Sequence, residues 1–171
     1  MKIDYSRLLL IGILLLASAV FSCASIGQRD MTAPRYPVGY RDWTHVKSSL
    51  LTEESPFFDK FGGIHHIYAN DRALRAMKDG TPYPDDAVLV FDLLSFERIE
   101  GGYISGERRR IDVMQRGQQS FAQTDGWGYA SFKGSGNKRV TQDVIEACHG
   151  CHLNGLGELK AVNGVFSAFP D

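Results

Sequence analysis

Ala87-Val88-Leu89-Val90-Phe91-Asp92-Leu93-Leu94-Ser95-Phe96 is the most strand-like run in the chain, and it decides the fold. Gly101-Gly102 follows as a hairpin signal, so Tyr103 to Met114 reads as the antiparallel partner strand. Further on, Trp127 to Phe132 alternates aromatic and small residues and predicts another strand. Working backwards, Gly62-Gly63 is a turn, and Ile64 to Ala69 is a strand that ends at Asn70. Asn70 is placed to cap a short helix from Asp71 to Asp79, with Ala73, Leu74 and Met77 as its apolar stripe and Gly80 at its end. Thr81 to Asp86, with Pro82 and Pro84, is a loop. Arg41 to Leu51 has Trp43, Val46 and Leu50 at helical spacing and predicts a short helix capped by Asp42. Thr141 to His152 predicts a final helix carrying a Cys pair. The expected class is α+β: a mainly antiparallel sheet with a few packed helices.

The chain has 171 residues, a net charge of -1 and 43% hydrophobic residues, which is a globular composition. Its near-neutral charge leaves no footprint for nucleic acid. Ten Phe, seven Tyr and two Trp are enough to build a core. The first residues read as an export signal. Lys2 and Arg7 are basic, and Leu8 to Val20 is apolar but too short for a comfortable membrane span. Val20-Phe21-Ser22-Cys23 resembles a bacterial lipoprotein cleavage box, with Phe21 unusual there and Cys23 as the lipidated residue. The expected organisation is a signal over 1–22, a flexible tether over 23–40 and one domain over 41–171. The expected location is the periplasm, with membrane attachment only through lipid on Cys23.

Cys148-His149-Gly150-Cys151-His152 carries the chemistry. Cys-x-x-Cys-His is the attachment pattern of c-type haem. Two thiols three residues apart on a helical turn meet the two vinyl groups of one haem. The next residue then lies below the iron, and His152 supplies the proximal imidazole. Its other ring nitrogen should donate to a backbone carbonyl or water. Three rivals fit less well. A zinc site lacks a second Cys pair, a thioredoxin-like pair would open a helix after a strand, and a plain disulfide leaves His152 unexplained.

Neither Met nor His follows His152, so a sixth iron ligand would have to come from upstream. The candidates are His45, His65, His66, Met77 and Met114, none in a ligand motif. His65 and His66 point to opposite faces of a strand, so at most one faces a haem. The expectation is an iron whose second face is open, which suits binding or transforming a small ligand.

Several further segments resemble the cytochrome P-460 family, which includes the β-sheet cytochromes c′. They are Tyr40-Arg41-Asp42-Trp43, Ile67-Tyr68-Ala69-Asn70, Tyr83-Pro84-Asp85-Asp86-Ala87-Val88-Leu89-Val90 and Gly126-Trp127-Gly128-Tyr129, with the C-terminal haem motif, together spanning about 40–152. The resemblance implies a mainly antiparallel sheet, five-coordinate haem and a homodimer. In P-460 proteins proper, a Lys on the strand after the Tyr-Pro-Asp loop is cross-linked to the porphyrin. Here Phe91 takes that register and no Lys lies on the strand, so the cross-link is expected to be absent. The cytochromes c′-beta are similar in having Phe side chains over the distal face. Phe91 is accordingly either a distal cap or a core aromatic. The family's oxidising members have an acidic residue over the haem. Asp112 is the candidate for that place, its plainer reading being a solvent-facing charge beside Arg108, Arg109 and Arg110. Those three arginines read as a solvated strand face, from which one could reach a haem propionate.

Three functions are compatible with these residues. The first is a haem protein that binds NO or a similar small neutral ligand, perceived or scavenged in the periplasm. The second is an oxidoreductase acting on hydroxylamine or nitrogen oxides, with Asp112 as proton acceptor. The third is an electron carrier with a sixth protein ligand and a periplasmic redox partner.

Overall fold

The computed structural model describes residues 33–140, 143, 145–155 and 161–170. Six strands form one sheet in the order β1-β2-β3-β4-β5-β6, every neighbouring pair antiparallel. They are β1 (Thr44–Leu51), β2 (Gly63–Ala69), β3 (Val88–Ile99), β4 (Gly102–Arg116), β5 (Trp127–Lys133) and β6 (Arg139–Val140). Short helices sit between them: α1 (Phe58–Phe61), α2 (Asp71–Asp79) and, near the C-terminus, a π-type turn Ile145–His149 running into α3 (Gly150–Asn154). The α+β class read from the sequence is the class observed. Among the described residues no helix is long and apolar enough to cross a membrane. The segments read as signal and lipidation site, Cys23 included, lie outside the described residues, as do 141, 142 and 144 of the last predicted helix.

The β3–β4 hairpin and α2 follow local chemistry closely. Ile99 pairs with Gly102, and Gly101 takes the positive φ of 76° that the turn requires. Asn70 Oδ1 accepts the Ala73 N–H at 2.9 Å and the Val88 N–H at 3.1 Å, while its Nδ2 donates to the Asp86 carbonyl at 2.9 Å. One side chain thus caps α2 and fixes the start of β3. Gly80 closes α2 at φ 63°.

The helix expected over Arg41 to Leu51 is instead a short turn, Tyr40–Asp42, followed by β1. Asp42 is part of that turn rather than a helix cap. The three residues read as a helical stripe do not share a face: Trp43 packs on the back of the sheet, Val46 on the front, and Leu50 is exposed. The strand carries a bulge, since His45 pairs with Tyr68 and Lys47 with Ile67, which leaves Val46 as an extra residue.

The two faces of the sheet differ. On the back, Tyr36, Tyr40 and Trp43 pack against Val90, Ile111, Val113, Ala130 and Phe132. Within the span read as a tether, Pro34 is fully buried and Tyr36 meets the Phe132 ring edge-on at 5.3 Å. Asp92 is buried on this face, accepting from Arg108 Nε at 2.5 Å, Arg108 Nη2 at 3.0 Å and the Tyr40 hydroxyl at 2.7 Å. Burial first, and Asp92 second, push the Tyr40 hydroxyl up to about 12, so it stays a donor. On the front, Val46, Ala69, Ala73, Leu89, Trp127 and Tyr129 form a second core under α2.

Replacing Asn70 by Ala removes three hydrogen bonds at one joint. Chemical denaturation is expected to show a loss of about 1–2 kcal/mol or more, with the m-value unchanged.

Candidate functional site

Strand register sets out the front face as rows. One row runs Lys47, Ile67, Phe91, Asp112, Ser131 across β1 to β5. The row beside it runs Ser49, His65, Leu93, Arg110, and the row on the other side Ala69, Leu89, Met114, Tyr129. These rows floor a cavity of about 420 Å³, closed by Phe57 and Phe61 around α1, by Cys148, Cys151 and His152 of the C-terminal turns, and by Val165 and Phe166. The volume lies in the range of about 300–1,000 Å³ found for cofactor and ligand pockets. The floor grades from apolar (Leu89, Met114) to polar (His65, Arg110, Lys47).

The C-terminal turns deliver the motif as a unit. Cys148 and Cys151 both line the cavity. Burial, followed by Asp112, pushes the Cys148 thiol up to about 11. His152 packs against two rings, Tyr129 at 5.3 Å and Phe166 at 4.9 Å. Its Nδ1 lies 2.7 Å from the Gly164 carbonyl oxygen and donates to it, since a carbonyl only accepts. Burial holds its pKa below the ordinary histidine value, so the ring is neutral and Nε2 keeps a free lone pair. Among the described residues no three His, Cys, Asp or Glu side chains are grouped as a metal-binding set.

Phe91 sits mid-floor within an aromatic group. His65 lies 4.6 Å from its ring and Phe61 6.2 Å. Asp112, its cross-strand neighbour, does not face solvent as its plainer reading had it; it lines the cavity. Ser131 Oγ donates to it at 2.6 Å, and Arg110 Nε lies 2.8 Å away. Burial raises the Asp112 pKa against the lowering pull of Arg110 and Ser131.

The three arginines do not form one solvated face: Arg109 is exposed, while Arg108 and Arg110 are partly buried. Arg108 turns to the buried Asp92, Arg109 bonds the Gly62 carbonyl, and Arg110 enters the cavity and stacks on Phe61 at 5.2 Å. Bulges in the β3–β4 pairing, between Leu93 and Leu94 and again before Phe96, break the simple alternation and distribute them. Arg108 and Arg110 each gain an oxygen or ring partner that offsets the loss of water.

Of the five possible sixth ligands, His65 and Met114 line the cavity. His65 is engaged with the Phe61 carbonyl through Nε2, and burial lowers its pKa. His45 and His66 lie away from the cavity lining, joined through Ser48 by contacts of 3.0 Å and 2.7 Å. Met77 packs into the core under α2.

Sequence reasoning passed over Lys47, Lys60, Ser131 and the C-terminal turn at Asn163-Gly164. Only the last had a clear signal, an Asn-Gly pair between two valines. Lys60 Nζ donates to the Ala147 carbonyl at 2.9 Å, tying α1 to the motif-bearing turn across the cavity.

An apolar cavity that brings two thiols and a neutral imidazole to one wall, with cations at its rim for carboxylates, is that of a haem protein. The chain belongs to the cytochrome P460 family, whose family model matches residues 37–166, and it is therefore a haem-binding cytochrome. No curated protein matches the chain at a significant level. The residues present fit haem: Cys148 and Cys151 suit its vinyl groups, His152 its iron, and Lys47, Lys60 and Arg110 its propionates.

The raised pKa of Asp112 has a sign. The folded state holds this proton more tightly than the unfolded chain does, so Asp112 removes stability as pH rises from the ordinary carboxylate range through the raised value. Thermal unfolding of wild type and Asp112→Asn between pH 3 and 8 is expected to show that decline only in the wild type. Parallel curves would contradict it.

Proposed function

We propose that this cytochrome carries one haem c, attached through Cys148 and Cys151 and ligated by His152, and that its opposite iron face binds NO or a similar small neutral ligand. The observation that carries the reading is the asymmetry of the cavity. One wall holds both thiols and a neutral His152; the sheet floor holds Phe91 and Ile67, with Phe61 of α1 beside Phe91. When bound, haem supplies a coordination position for a small ligand and one-electron chemistry. The chain's own residues do the rest. His152 is oriented by Gly164, and Phe91 and Phe61 limit the space over the floor and disfavour water and anions. His65 is held by the Phe61 carbonyl rather than left free to ligate.

Export to the periplasm and lipid attachment at Cys23 belong to the same proposal, supported by Lys2, Arg7 and the apolar run before Cys23. So does assembly as a homodimer, which the family resemblance supports.

A second reading, oxidation of hydroxylamine or turnover of a nitrogen oxide, is favoured by one specific feature. Asp112 is a cavity carboxylate with a raised proton affinity, the property expected of a proton acceptor. The two readings part on a simple experiment. Under the first, the purified ferrous protein has a high-spin spectrum that shifts on adding NO, with no hydroxylamine turnover. Turnover that is lost in Asp112→Asn would establish the second instead. A low-spin spectrum indifferent to NO would contradict both.

Phe91→Ala should accelerate NO and CO binding several-fold in stopped-flow measurements. Unchanged on-rates would make Phe91 a core aromatic only.

A further inference from the structure

The C-terminal segment after α3 contains a small hairpin. Val162 and Val165 exchange both backbone hydrogen bonds, N–H of Val162 to the Val165 carbonyl at 2.9 Å and the reverse at 3.0 Å. The two residues between them, Asn163 and Gly164, have φ of 52° and 78°. Two successive positive φ values define a type I′ turn, for which Asn-Gly is the favoured pair. The turn presents two carbonyls to two different side chains. Gly164 accepts from His152 Nδ1 at 2.7 Å, and Asn163 accepts from Trp127 Nε1 at 3.0 Å.

Trp127 is itself fixed. It is 4% exposed at the start of β5, meets the Tyr83 ring at 5.3 Å, and has the Arg116 guanidinium over its face at 5.5 Å. The contact with the turn is close. A Cβ added at Gly164 would fall 2.9 Å from Trp127 Nε1, and that position also has a positive φ. Side chain is thus excluded from Gly164 twice over, by backbone conformation and by the indole.

We infer that Trp127, through the Asn163-Gly164 turn, is a positioning residue for His152: it holds the Gly164 carbonyl where the imidazole Nδ1–H must donate, and so sets how strongly His152 donates to the iron. The inference rests on the reading of His152 as the iron ligand. The physical link is direct. A strong Nδ1–H···O bond puts negative charge on the imidazole, makes Nε2 a better donor and favours the ferric state. Trp127 touches the turn with one N–H, so a rigid sheet residue controls the polarity of a group on a separate C-terminal segment. The Tyr129 and Phe166 rings both contact the imidazole, and the carbonyl fixes its tautomer.

The test uses the haem-loaded protein and two readouts that a merely structural role would not move: the ferrous iron–histidine stretching band in resonance Raman, and the midpoint potential. Trp127→Phe removes the N–H and keeps an aromatic ring. Gly164→Ala displaces the carbonyl. Both are expected to lower the band frequency and raise the potential, and the double variant should shift no further than the larger single one. Asn163→Gly keeps the turn and both carbonyls, and is expected to match the wild type. In the unsubstituted protein the Nδ1 proton of His152 should exchange slowly with solvent by NMR. A fast-exchanging proton would overturn the inference even if neither variant folds. A band lost in His152→Ala but unmoved by Trp127→Phe and Gly164→Ala would overturn the positioning role alone. A band that survives His152→Ala would overturn the ligand assignment, and this role with it.

Discussion

The antiparallel register of β3 and β4 is the constraint on which everything else depends. Phe91 and Asp92 are neighbours in sequence but face opposite sides of the sheet, as do Ile111 and Asp112. One side becomes a sealed back, closed by Tyr36, Tyr40 and Trp43 over the buried Asp92–Arg108 pair. The other becomes the floor of a cavity. A slip of one residue would send Asp92 and its arginine into the haem pocket and bury Phe91 and Asp112 in the back core. The Asp92–Arg108–Tyr40 cluster opposes such a slip, because a buried carboxylate without its partners would cost several kcal/mol.

The cavity then gains its chemistry from segments that are not part of the sheet. The π-type turn and α3 bring the Cys pair and His152 to its wall, and α1 brings Phe61 and Lys60. Lys60 ties α1 to the Ala147 carbonyl, one residue before Cys148. Gly63 shows how closely these parts fit. A Cβ there would fall 2.1 Å from the Leu94 carbonyl oxygen, so only glycine lets β2 begin where α1 ends. The same division recurs around His152, where sheet residue Trp127 holds the turn that accepts from the imidazole.

Much of this was legible in the residues. Asn70 and Gly80 bounded α2 because caps act locally, and Gly101-Gly102 marked the long hairpin for the same reason. That Cys148, Cys151 and His152 come together was legible because they lie within five consecutive residues. What escaped was non-local. Trp43, Val46 and Leu50 have helical spacing yet go to different surroundings, and the inward face of β1 carries Lys47 and Ser49, polar residues that suit a cavity rim rather than a core. Arg108, Arg109 and Arg110 look like one charged face until pairing with β3 sends them to three different partners. Asp112 could not be placed without Ser131, nineteen residues away, and Asn163-Gly164 was too short a hairpin to register beside longer strands.

The central claim is that the cavity holds a porphyrin joined covalently to the C-terminal turns. It is tested most directly by peptide mapping with mass spectrometry, after expression in a host that matures c-type cytochromes. The account predicts that the peptide containing Cys148 and Cys151 carries the mass of one haem in the wild type and loses the double linkage in Cys148→Ser and Cys151→Ser. A bare peptide in a correctly exported, folded protein would contradict it.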